Sequence, residues 1–139
     1  MHTADDTAQY TIRTADRSDY EAVRAFLSAA GWSHRVGDAA RFAALLDNSQ
    51  RKLLVACDGE VVGFARAITD EISNGYLSML AVDPVHRGRG LGRRLVEAIT
   101  AGDPGITWVL RAGRGESVDF FQHVGFSRST CAWERMRQG

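Results

Sequence analysis

The spacing of apolar and polar residues changes several times along the chain, and each change marks an element boundary. Gln9–Ala15 alternates, with Tyr10 and Ile12 apolar, and reads as a first strand. Ser18–Glu21 has the S-x-x-E form of a capping box, and Val23, Phe26, Leu27 and Ala30 follow at helical spacing until Gly31. Residues 31–38 read as a loop. Asp38 then caps a second helix with Phe42, Leu45 and Leu46 on one face. Residues 52–68 form two strands joined at Asp58-Gly59, the pair that type I′ hairpin turns favour. A turn at Ser73–Gly75 leads into the strand Tyr76–Val82.

Leu91, Leu95, Val96 and Ile99 make a third helical stripe, broken by the G-D-P-G of residues 102–105. Ile106–Leu110 is a short strand. Residues 116–126 are a one-faced helix with Gly125 at its end and Phe126 beyond, the pattern of a Schellman ending. Ser129–Met136 alternates and predicts a closing strand, which would place Trp133, like Trp108, in the core. The order is β-α-α-β-β-β-α-β-α-β, an α/β (α+β) fold. The hairpins make the sheet mostly antiparallel, and the crossover near Arg93–Ala101 adds one parallel pair, so helices flank the mixed sheet on both faces.

At 139 residues the chain fits one domain, expected over 9–139 after a flexible N-terminus at 1–8. Hydrophobic residues are 45% and formal net charge is zero, which predicts a packed core and gives no basic field for nucleic acid or a membrane surface. Lys52 is the sole lysine. Arginine suits bidentate oxyanion binding, and genome base composition can yield the same bias. Cys57 and Cys131 are far apart in sequence and form no C-x-x-C, so neither a disulfide framework nor a metal site is expected. Both read as small buried hydrophobes in a reducing compartment. With no signal peptide or membrane span in view, a cytoplasmic protein is expected.

Gly88, Gly90 and Gly92 lie where the third helix begins, among Arg87, Arg89 and Arg93. Glycine costs about 0.8–1 kcal/mol against alanine inside a helix. At a helix start it has two uses: it permits positive φ, and it lets an anion approach the unpaired N–H groups. A pyrophosphate cradle satisfies these residues. The dinucleotide fingerprint does not fit, because Arg93 stands at its third glycine, and the terminal G-K-[ST] of a P-loop is absent.

The string V-D-P-x-x-R-G-x-G-x-G at Val82–Gly92, followed by F-F-Q-H-V-G-F at Phe120–Phe126, resembles the GNAT superfamily of acyl-CoA-dependent N-acyltransferases. The resemblance covers roughly Gln9 to Met136, and the element order agrees with a GNAT-like fold. It implies that Arg87, Gly88, Arg89, Gly90, Leu91, Gly92 and Arg93 hold the pyrophosphate of acetyl-CoA. It also implies that Tyr76–Val82 runs beside the pantetheine arm, with Phe120 on the arm's other side. Backbone N–H groups near Leu80, Ala81 and Val82 would then polarise the thioester carbonyl.

Transfer of the acetyl group to a primary amine of a small-molecule or peptide acceptor is the implied reaction, and a homodimer stays open. The family's tyrosine in the later motif, which protonates the leaving thiolate in many members, is Phe121 here. The acidic residue expected in the strand before the cradle is replaced by Ser78 and Met79. The asparagine and alanine common near the last helix are matched by Arg114 and Ser117. Asp70 and Glu71 in the turn, and His34 in the loop, are the remaining candidates for a base, with Trp32 a candidate acceptor contact. The missing acid and base leave a second expectation, a catalytically weak or inactive acyl-CoA-binding module.

Overall fold

The computed structural model describes residues 9–112 and 116–138. The N-terminus predicted as flexible, and Arg114, lie outside the described residues. Strand β1 (Tyr10–Thr14) pairs antiparallel with β2 (Arg51–Cys57), β2 with β3 (Glu60–Thr69), and β3 with β4 (Asn74–Val82). β5 (Thr107–Leu110) joins β4 in parallel, giving the order β1-β2-β3-β4-β5. The β2–β3 hairpin turns on Asp58 and Gly59, at φ 52° and 81°, as the Asp-Gly pair requires. Asp70 shapes the β3–β4 turn: its carboxylate accepts from the N–H groups of Ile72, Ser73 and Asn74 and from the Ser73 hydroxyl. The turn therefore sits at 70–73, slightly earlier than the glycine suggested.

The helices are α1 (Tyr20–Leu27), α2 (Ser33–Val36), α3 (Ala39–Asp47), α4 (Leu91–Ile99) and α5 (Glu116–His123). On one sheet face α1 and α3 bury Val23, Leu27, Phe42 and Leu46 against Leu54 and Phe64. On the other, α4 buries Leu91, Leu95, Val96 and Ile99 against Val55, Ala65, Ala67 and Leu77. Burying each such side chain contributes about 1.5–3 kcal/mol, so the two layers hold the sheet between them.

Three local expectations are corrected. The capping box is formed by Asp16 and Asp19 rather than by Ser18 and Glu21, because a short 3₁₀ turn at Arg17–Asp19 precedes α1. The segment after Gly31 is not all loop: Gly31, at φ 96°, bends the chain within a π-turn that continues into α2. The predicted final strand is absent. Residues 127–138 carry no regular structure, Trp133 is 96% exposed, and Cys131 is exposed while Cys57 is buried. The Ser129 hydroxyl accepts from the N–H groups of Cys131 and Ala132, a local turn that competes with extension. β5 is four residues long and pairs along β4 only, so the alternating sequence finds no ladder.

Candidate active site

β4 and β5 start together and part. Their ladder runs from Asn74↔Thr107 to Leu77↔Leu110, whereas β4 stays paired with β3 as far as Val82. Ser78–Val82 therefore has no strand partner on the side facing β5, and Ser78, Met79 and Leu80 line an opening there. Within β4, two residues oppose Ala65 where the register shifts, and Met79 takes φ 57°. A positive φ at a non-glycine residue is uncommon, and here it marks a β-bulge beside the point of separation. Asp83 N–H donates to the Val62 carbonyl. By the alternation of an antiparallel ladder, Val82 then turns its own N–H and carbonyl away from β3, toward the opening.

Beyond Val82 the chain makes a 3₁₀ turn at Pro84–His86, capped by Asp83, and reaches the glycines. Gly88 and Gly90 have φ 81° and 78°, and a Cβ on either would meet open space. Gly90 is the N-cap of α4 and offers no side-chain cap. Its carbonyl accepts from Arg94 N–H, the first helical bond, which leaves the N–H groups of Leu91, Gly92 and Arg93 without an intrahelical acceptor. Gly92 differs: a Cβ there would lie 3.2 Å from the Phe120 ring, so its hydrogen lets α5 pack against α4.

Arginines brace this turn. Arg87 Nε donates to the Val82 carbonyl (3.2 Å), and Arg89 Nη1 to the Val85 carbonyl and the Tyr10 hydroxyl (3.1 Å each). The Tyr10 hydroxyl is 2.8 Å from His86 Nδ1, which ties the turn to β1. Arg93 donates to the His123 carbonyl at the end of α5.

The opening is a cleft of about 1230 Å³. Tyr76, Ser78, Met79 and Leu80 form one wall, Trp108 and Leu110 of β5 another, and Ser117 and Phe121 of α5 a third. Trp32 and Arg35 close one side, and the segment carrying Trp133 and Glu134 closes another. Of the sequence candidates on the cofactor side, Leu80 faces the cleft. Ala81, Val82 and the glycine turn continue past its end, and Phe120 packs between Gly92 and Phe121.

The acid–base candidates are placed elsewhere. Asp70 and Glu71 sit in the turn before β4, at the end where β4 and β5 are still paired. Asp70 is held well below the usual carboxylate range by the Ser73 hydroxyl and the turn N–H groups. Glu71 is lowered by its ion pair with Arg51, whose two contacts are 2.6 and 3.2 Å. His34 is exposed and outside the cleft lining, though its neighbours Trp32 and Arg35 belong to it. Phe121 reaches the cleft with no hydroxyl, packed against Phe120 and Phe126.

Arg35, in the cleft lining, and the buried Arg66 are not among the sequence candidates. The signal for Arg66 was a charge in the middle of an apolar run, V-V-G-F-A-R-A-I, where only a buried cation fits the pattern. No group of three or more metal-binding side chains occurs among the described residues. None of their helices is long and apolar enough to cross a membrane.

A family model for the acetyltransferase (GNAT) domain matches residues 49–128. An uncharacterized N-acetyltransferase ycf52-like protein of Prochlorococcus marinus is 31% identical over 130 residues, 86% of this chain and 69% of its own length. A solved structure of a putative GNAT-family acetyltransferase from Xanthomonas campestris pv. campestris superposes with a TM-score of 0.75 at 25% identity, covering 93% of this chain and 94% of the other. An aminoglycoside N-acetyltransferase solved in complex with CoA shares the fold at a TM-score of 0.72 and 18% identity, covering 94% and 97%. By the family model and the curated relative together, this chain belongs to the GNAT acetyltransferase family and is an acyltransferase.

Proposed function

We propose that the protein moves an acetyl group from acetyl-CoA to a primary amine. The observation that carries this reading is the end of the β4–β5 ladder at Leu77 and Leu110, with β4 running on into the uncapped N-terminus of α4. The residues present fit CoA. The N–H groups of Leu91–Arg93 and the open space over Gly88 and Gly90 suit a pyrophosphate, and the cleft walls suit a pantetheine arm. Bound acetyl-CoA supplies an activated thioester carbon.

This chain's part is binding and orientation. The Val82 N–H, turned toward the opening, is a donor for developing charge on the thioester oxygen. The cleft walls hold the amine and the carbonyl carbon in line, which converts a bimolecular encounter into a positioned one. A C–N bond forms as the C–S bond breaks, and the amine's proton passes to solvent. Thiols ionise at about 8.5, so a thiolate leaves near neutral pH with modest help, and solvent protonates it where Phe121 offers no donor.

Thermal unfolding and thiol release together test the reading. Acetyl-CoA at a hundredfold excess over its dissociation constant should add about 2.7 kcal/mol of stability. Free CoA should then appear only when an amine is present. A melting temperature unmoved by millimolar acetyl-CoA overturns the proposal. Stabilisation without thiol release for any amine favours a binding module instead.

A further inference from the structure

Arg66 is the one arginine in the buried core of the described residues, at 9% exposure. It stands on β3 opposite Ser78 of β4, so both side chains lie on the same sheet face as Tyr76, two residues earlier on β4. Its Nε donates to the Ser49 hydroxyl at 2.8 Å, and Ser49 in turn donates to the Leu45 carbonyl. Among the described residues its two terminal nitrogens have no hydrogen-bond or ion-pair partner. The groups that act on it are Tyr76 and a second cation, Arg35. Both of these line the cleft, as does Ser78, and Arg66 lies outside the lining itself, on the strand paired with Ser78.

A guanidinium does not shed its charge at physiological pH, and burying one without an anion is costly. Burial lowers the Arg66 pKa, Arg35 lowers it further, and only Tyr76 opposes them. Structural arginines in this chain are handled differently: Arg13, Arg17, Arg24 and Arg51 each meet a carboxylate. Arg35 rests on the Trp32 ring, with its guanidinium carbon 5.8 Å from the ring centre, and pairs with no described carboxylate. Within the cleft lining, Glu134 is taken by Arg111 at 2.6 Å, which leaves Arg35 and Arg128 uncompensated among the described residues.

We propose that Arg66 and Arg35 receive an acidic group carried by the amine acceptor, a carboxylate or a phosphate adjacent to the nitrogen that is acetylated. The inference rests on the acetyl-transfer reading above and narrows its acceptor. A carboxylate or phosphate can accept from both guanidinium groups and from the Ser78 hydroxyl, supplying the counter-charge the fold omits. Polycationic amines are disfavoured by the same two arginines.

The test compares matched amines: standard amino acids against their carboxamides, and O-phosphoethanolamine against ethanolamine, with spermidine as a polycation. Thiol release and thermal protection by each amine are read in parallel, the second needing no turnover. At least one acid-bearing amine should exceed its neutral partner in kcat/KM by about 100-fold, the scale of a lost charge-assisted pair. It should also protect against heat where its partner does not. Which pair discriminates tells carboxylate from phosphate.

Arg66→Met should abolish the discrimination, leave the acetyl-CoA-induced shift unchanged, and keep or raise the ligand-free melting temperature. A structural arginine would instead lower it. Arg35→Gln should weaken discrimination in a fold that does not depend on it. Equal use of acid and amide, or spermidine as the best acceptor, overturns the inference and leaves acetyl transfer standing. Loss of the acetyl-CoA shift in wild type overturns the transfer reading. The protection arm still decides the anion site in that case: acid and amide protecting equally refutes it.

Discussion

Gly90 and Gly92 stand two residues apart and answer to different constraints. Gly90 has φ 78° with open space above it, so an alanine there meets no neighbour but must adopt a left-handed backbone. That costs about 1–2 kcal/mol. Its methyl would also stand where the proposed pyrophosphate approaches. Gly92 has ordinary helical φ, and its missing Cβ makes room for the Phe120 ring at 3.2 Å. Gly90→Ala should therefore weaken acetyl-CoA binding by more than its stability loss explains, measured by calorimetry beside denaturant unfolding. Gly92→Ala should act on α5, where the Phe120 ring must give by a few tenths of an ångström, with the alanine's helix gain of about 1 kcal/mol opposing that cost, and any affinity change should follow the stability change. Should the two variants lose affinity and stability in the same ratio, the cradle assignment for Gly90 is wrong. The glycine string was legible as a helix start, but the division of labour inside it was not. Only the position of Phe120, 28 residues beyond Gly92 in sequence, separates the two roles.

Elements were legible where local chemistry and tertiary pairing agree. The Asp-Gly turn, the Asp38 cap and the Gly125 ending are each specified within a few residues, and each forms as read: Phe126 N–H reaches the Phe121 carbonyl in the Schellman manner. Ser129–Met136 alternates like a strand, yet alternation needs a partner ladder, and the sequence does not announce that β5 supplies none. The cap of α1 failed for a smaller reason, since Asp16-x-x-Asp19 competes with Ser18-x-x-Glu21 in the same stretch. Its outcome has a pH consequence. Asp19 accepts from Arg13 at 2.7 and 2.9 Å and from Asp16 N–H, and its carboxyl is lowered to about 2 by those bonds, Arg13 foremost. The folded value lies below the ordinary 3.8, so the contribution is complete above about pH 4 and is lost as pH falls through about 2. Asp19→Asn keeps a capping oxygen and removes the charge. Wild type should melt a few degrees higher than this variant at neutral pH, and the gap should close on acidification between those limits. A gap that persists at pH 2 would show that the charge contributes nothing.

At the scale of the whole molecule the two ends of β4 divide the labour, some 26 Å apart by strand rise (roughly 3.3 Å per residue). One end opens beside α4 and the other is closed by Arg51. That side chain donates to the Ile99 and Ala101 carbonyls at the end of α4 (2.9 and 2.6 Å), pairs with Glu71, and lies over the Trp108 ring at 5.3 Å. Trp108 in turn crosses Gly75, where any Cβ would collide with its ring. One guanidinium thus joins β2, the 70–73 turn, β5 and the end of the helix whose start is the proposed cradle. Arg51→Met should cost about 2 kcal/mol in denaturant unfolding, because it unties β5, the 70–73 turn and the end of α4 at once. Glu71 is the sharper case, since its carboxylate is a candidate base by sequence and a brace by position. Its pKa is lowered by Arg51, which makes it a poorer proton acceptor at neutral pH. Glu71→Gln keeps the shape and one hydrogen-bond acceptor. It should lower the melting temperature modestly, leave kcat within about threefold of wild type, and leave the pH–rate profile above pH 6 unchanged. If turnover instead falls about 100-fold or more while the melting temperature holds, Glu71 is the base, and the amine must be delivered to the closed end of the sheet rather than to the cleft.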